Sequence, residues 1–163
     1  MVKRISVLIL LVMAIFRGNA QDIELEEALR PILDKALQLN IIARVLPPGA
    51  EQEWNMQSSK LTIPGRSIAV KLLGENIRIF VMLTPYWQEN GKLLLVAQGE
   101  VVLSETAESE VKYLSTVKSI PISLGEKVLF FPLGVSKRFR KNFNIQLEIE
   151  ILSYKDLLEK SAD

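Results

Sequence analysis

Glu148 and Glu150 stand two apart in the run 144–154, where Ile145, Leu147, Ile149 and Ile151 occupy the alternate positions. Residues two apart on a strand point the same way, roughly 7 Å from one another. Two carboxylates so placed have the spacing for inverting glycoside hydrolysis, or for part of a calcium shell. Alternating glutamates are also what the wet face of an amphipathic strand carries, and no second acidic cluster in the sequence converges on this pair. The spacing therefore predicts a solvated strand face, not a catalytic or metal-binding pair.

Lys137, Arg138, Phe139, Arg140 and Lys141 place four positive charges around one aromatic ring, between Gly134 and Asn142. Such a cluster can grip an anionic surface, an acidic glycan or an acidic partner protein, with Phe139 as a wedge. A run this short also serves as a solvated loop between strands. Trp54, Tyr86 and Trp87 are the rings suited to stacking on sugars, and Tyr86 and Trp87 lie beside the turn signal Glu89-Asn90-Gly91. Rings in a sheet more often pack in its core or across strands. These eight residues are the candidate binding positions.

The rest of the chemical inventory is thin. The chain has no histidine and no cysteine, which removes the usual general base near neutral pH and both nucleophile arrangements that depend on it. Ser59-Lys60 and Ser136-Lys137 have no catalytic signature around them, and Gly125-Glu126-Lys127 is a turn, not a phosphate cradle. The expectation is a protein without enzymatic activity, cofactor or metal.

These residues must be positioned by a mostly β body. Leu25, Ala28, Leu29, Ile32, Leu33, Ala36 and Leu37 follow helical spacing and predict an amphipathic helix over 21–40, with acids crowding its N-terminal end. Pro31 requires that helix to kink or to begin afresh. Its stripe would lie across the sheet domain or be offered to a partner. From Ile41 the period becomes two. Strands are predicted over 41–46, 54–63, 67–73, 77–87, 92–103, 111–117, 128–131 and 144–154, with a shorter one at 120–123.

The turn between 77–87 and 92–103 fixes a register. A two-residue Asn90-Gly91 turn would set Leu83 against Gln98 and Val81 against Glu100. A three-residue loop with Gly91 left-handed sets Leu83 against Ala97, Val81 against Gly99, Ile79 against Val101 and Ile77 against Leu103. Only the second gathers an apolar face, so the bulged turn is expected. The reverse face carries Phe80, Met82, Leu94 and Val96 beside Arg78, Gln98 and Glu100, and something is expected to cover part of it, the N-terminal helix first of all. The fold expectation is an antiparallel β-sandwich of about seven or eight strands, spanning 41–163, with a short C-terminal helix or tail.

Residues 1–20 read as a secretory leader: Lys3 and Arg4, then a twelve-residue run from Ile5 to Phe16 that is apolar except for Ser6, then small Gly18 and Ala20. The apolar run falls short of the roughly 20 residues needed to span a bilayer. Cleavage after Ala20 leaves 143 of the 163 residues, with 17 basic against 19 acidic side chains, because the leader takes three cations and no acid. That net charge of −2 gives no general attraction to nucleic acid or to an anionic membrane. An exported domain of this length folds without disulfides when its core is adequate, and lack of cysteine fits a bacterial exported protein.

Together these features predict a periplasmic or secreted, non-enzymatic envelope protein that binds another protein in assembly or scaffolding, with no membrane span after cleavage. A carbohydrate- or lipid-binding module is the alternative. An eight-stranded outer-membrane barrel matches in length, but no outward apolar band can be traced and the ending Glu159-Lys160-Ser161-Ala162-Asp163 is unlike a closing strand.

Overall fold

The computed structural model describes residues 27–46, 54–74, 77–103, 112–134 and 144–161. The leader and the basic run 137–141 lie outside them. The chain divides into two units, residues 1–35 and 36–163.

In the first unit, residues 27–33 form helix α1. Pro31 has helical residues on both sides, so the helix does not begin afresh there. Leu29, Ile32 and Leu33 are exposed along it. The helix stops well short of residue 40. Leu37 begins strand β1 (Leu37–Leu46), where Leu37, Leu39, Ile41, Ala43 and Val45 alternate and are buried. Leu33 and Leu37 satisfy a helical period and Leu37 and Leu39 a strand period. Pairing with strands on both sides decides for the strand, because a fully buried β position gains more than a helical turn with a solvated face.

The second unit continues with β2 (Trp54–Thr62), β3 (Ile68–Leu73), β4 (Ile77–Trp87), β5 (Leu93–Leu103), β6 (Lys112–Ile122), β7 (Lys127–Phe130), β8 (Asn144–Ser153) and helix α2 (Tyr154–Ser161). The predicted strands 111–117 and 120–123 are thus one strand, which runs through Pro121. That proline is tolerated because β6 is a sheet edge and needs no donor on its outer side. Two four-stranded antiparallel sheets result, in the orders β2-β1-β8-β7 (sheet one) and β3-β4-β5-β6 (sheet two). The chain passes between them at two tight turns. Gly65, at φ +82°, donates its N–H to the carbonyl of Pro85 at 2.7 Å, and Gly125, at φ +78°, donates to Ile151 at 2.8 Å.

The β4–β5 hairpin has the bulged register: Leu83 faces Ala97, Val81 faces Gly99, Ile79 faces Val101 and Ile77 faces Leu103. Gly91 sits at φ +76°, and Gln88 and Lys92 close the loop through a 2.8 Å backbone bond. On β8, Ile145, Leu147, Ile149 and Ile151 are buried while Gln146, Glu148 and Glu150 alternate with them at half burial.

The apolar faces of both sheets feed one core cluster. Close approach between the sheets depends on Gly99, where a Cβ would meet the Cα and Cβ of Pro132 at 2.9 Å and the Phe130 ring at 3.2 Å. Lys60 on β2 and Lys118 on β6 fall on the inward-facing register of edge strands and remain exposed. Inward-pointing lysines at edges discourage pairing with another chain's strand. The sheets have separate edges and turn their apolar faces to a shared interior, the reverse of a closed barrel with an apolar outside. No helix among the described residues is long and apolar enough to cross a membrane.

Candidate functional site

Strand alternation places Glu148 and Glu150 on the outer face of sheet one, as expected, and cross-strand pairing surrounds them with partners. Glu148 pairs with Arg44 at 3.3 Å and Lys127 at 3.2 Å. The Asn40 amide donates to Glu150 at 3.1 Å, and Ser59 and Gln38 donate to the Asn40 carbonyl oxygen, each at 3.0 Å. Asn40, Ile42, Gln57, Lys127, Glu148 and Glu150 line a shallow depression of about 190 Å³. The hydrogen bond from Lys127 holds the Glu148 carboxyl below its ordinary range, with Arg44 adding to it and partial desolvation opposing. In a glycosidase pair the acid needs the opposite shift, whereas the base or nucleophile is held ionised. No group of three or more metal-ligating side chains occurs among the described residues. The geometry is that of a satisfied ionic network on a solvated sheet face.

The three candidate rings are exposed, at 44% for Trp54, 44% for Tyr86 and 46% for Trp87. They do not form a platform. β2 starts at Trp54 and runs about 27 Å to the turn beside the end of β4, so Trp54 and the Tyr86-Trp87 pair lie at opposite ends of the body. Tyr86 and Trp87 are consecutive on a strand and point to opposite faces. The strand ends adjoining 47–53, 75–76, 104–111 and 135–143 all share the end at which Trp54 sits.

Among the described residues a broad apolar surface lies elsewhere, on the outer face of sheet two. Leu73 on β3, Tyr113 and Val117 on β6 are 70%, 60% and 62% exposed. Phe80, Met82, Leu94, Val96 and Val102 are half-buried between them on β4 and β5. The register sets Leu73, Arg78, Val102 and Tyr113 in one row across all four strands, and Ala69, Met82, Gln98 and Val117 in another. Charge is sparse but ordered: Lys71 stands over the Phe80 ring at 5.7 Å, while Glu100 lies toward β6. Partial desolvation raises the Tyr113 phenol above its ordinary value, and the Glu100 carboxylate that accepts its proton in a hydrogen bond reinforces the shift.

Sequence reasoning found the β4–β5 half of this face and missed Leu73, Tyr113 and Val117. On β6 the outer set Tyr113, Ser115, Val117 and Ser119 is scarcely more polar than the inner set Leu114, Thr116, Lys118 and Ile120. Neither set signals which side is wet. The lysine at 118 misleads, since it reads as an outward residue and sits on the inner register.

No protein-family model, no curated protein and no solved structure matches this chain.

Proposed function

We propose that this protein is an exported, non-enzymatic module of the cell envelope, an open antiparallel β-sandwich that binds protein in an assembly or scaffold outside the cytoplasm. The observation that carries the reading is the outer face of sheet two, where Leu73, Tyr113 and Val117 remain largely exposed around a half-buried apolar strip. A contiguous apolar sheet face on a water-exposed body is a contact surface awaiting a partner. The leader 1–20 directs the chain to the periplasm or beyond, and the mature body starts at Gln21.

The chemistry available points the same way. Glu148 is engaged as an ion-pair acceptor, and the chain supplies neither imidazole nor thiol. A partner protein is favoured over a sugar because the rings that would stack on one are a strand's length apart. The basic run 137–141 is a second contact, reaching an acidic partner or an anionic surface by charge.

A photo-crosslinking residue at Val117 tests the reading in cells. The expected outcome is a discrete protein–protein adduct from Val117 and none from Asn55, an exposed position on the other sheet. Equal labelling at both positions, or none at Val117, would refute it. Intact mass of the exported chain is expected to correspond to loss of residues 1–20.

A further inference from the structure

The apolar face on sheet two resembles its own complement. Consider two copies face to face, related by a two-fold axis in the interface and parallel to the strands. Such an isologous contact brings each strand opposite its mirror in the order, so β3 meets β6 and β4 meets β5. Residues sharing a row then meet across the axis. Leu73 of one copy lies against Tyr113 of the other, and Ala69 lies against Val117. The most exposed apolar groups on the face thereby cover one another, twice over. The charges fall in place as well. The cations Lys71 and Arg78 are confined to β3 and β4 and the acid Glu100 to β5, so each copy brings its cations toward the other's acid. A two-fold across the strands lacks this match, because it moves Arg78 over Tyr86 at the far end of the same strand.

The area is sufficient. Four strands at about 4.8 Å and the outward positions from Arg78 to Tyr86 at about 3.4 Å per residue give a face of roughly 19 by 27 Å, less the corner left by β3, which pairs only with Arg78 to Leu83. Two such faces bury on the order of 1,000 Å² before side-chain relief is counted, at the threshold for a specific interface. Stacked sheets pack about 10 Å apart with side chains interleaved, a spacing that the half-buried Phe80, Met82 and Val96 can fill.

We propose that the outer face of the β3-β4-β5-β6 sheet is the interface of a symmetric homodimer. This deepens the protein-binding reading above, on which it rests, by naming the partner as a second copy. Sedimentation velocity of the exported, purified chain over about a hundredfold range of concentration tests it. Wild type is expected to sediment as two chains. Leu73→Lys and Val117→Lys, both at exposed positions, are expected to weaken self-association at least tenfold each while leaving the far-UV spectrum in place. Arg78→Glu and Glu100→Arg should each weaken the dimer, and R78E/E100R together should restore it. A wild type that stays one chain throughout, or a dimer indifferent to both lysine variants, overturns the proposal. Loss of the dimer in the lysine variants without rescue in the charge swap overturns the strand-parallel axis. A monomeric wild type whose Val117 crosslinks to a different envelope protein overturns the dimer alone and leaves the protein-binding reading standing.

Discussion

Glu148, a residue type suited to chemistry, is engaged in an ionic network. Its carboxylate answers two cations from different strands, Arg44 on β1 and Lys127 on β7, and so ties three strands of sheet one together across their outer face. Because its folded pKa is depressed, the stabilisation is fully present above the ordinary carboxylate value near 4.5 and is lost as pH falls through the lowered folded value. Glu148→Gln is therefore expected to lower Tm at pH 7 and to converge on the wild type toward pH 3, flattening the acid limb, a comparison that thermal melts from pH 7 to pH 3 can make. Gly99 gives the contrasting case of a residue defined by what it lacks. Gly99→Ala would drive a methyl to within 2.9 Å of Pro132, where backbone and ring atoms leave little room to yield. A cost of about 1–3 kcal/mol is expected in urea denaturation, the range for overpacking a close-packed interior.

At the scale of elements, the β4–β5 hairpin and the α1–β1 junction show local and tertiary forces winning in turn. The hairpin is locally specified: Asn90 accepts a hydrogen bond from the Lys92 N–H at 3.0 Å, and Gly91 takes the left-handed conformation that closes the bulge. A Cβ at Gly91 would meet nothing within 4 Å, so only the backbone opposes a side chain there. Gly91→Ala is expected to cost about 1–2 kcal/mol through the left-handed φ alone. Gly91→Asn should cost less, because asparagine tolerates that region; equilibrium unfolding of the two variants separates backbone strain from sterics. At the α1–β1 junction the local pattern is ambiguous. Leu37 is assigned by its neighbours, paired to Thr62 on one side and Ser153 on the other.

At the scale of the whole body, one core serves both sheets, and the chain's own order explains how. β1 and β8, the first and last strands of the second unit, pair in the middle of sheet one, while β3 to β6 form sheet two as an uninterrupted meander. Neither sheet has a separate core to retain if the other opens, so unfolding is expected to be a single transition. Nature has placed one tryptophan in each sheet, Trp54 on β2 and Trp87 on β4. Trp54→Phe and Trp87→Phe leave one reporter apiece, and their urea transitions should coincide in midpoint and slope. Separate midpoints would show that the sheets melt independently. Leu83→Ala in sheet two and Leu147→Ala in sheet one, both fully buried, are each expected to lower stability by about 2–5 kcal/mol at both reporters.

Much of this was legible in the chain itself wherever a single physical constraint acted locally. Strict alternation on β8 fixed its buried face, because a one-residue slip would send Ile145, Leu147, Ile149 and Ile151 to water. The left-handed demand at Gly91 fixed a register eleven pairs long. Tertiary structure decided what depends on which strands become neighbours: that Leu37 is a strand residue, that Glu148 meets Arg44 and Lys127, and that Trp54 stands a strand's length from Tyr86 and Trp87. It also decided that β3 and β6 flank the β4–β5 hairpin and extend its half-apolar back into a broad exposed face. Pairing between strands far apart in sequence is set by the sum of many weak contacts made only on folding, and no short run of residues carries that sum.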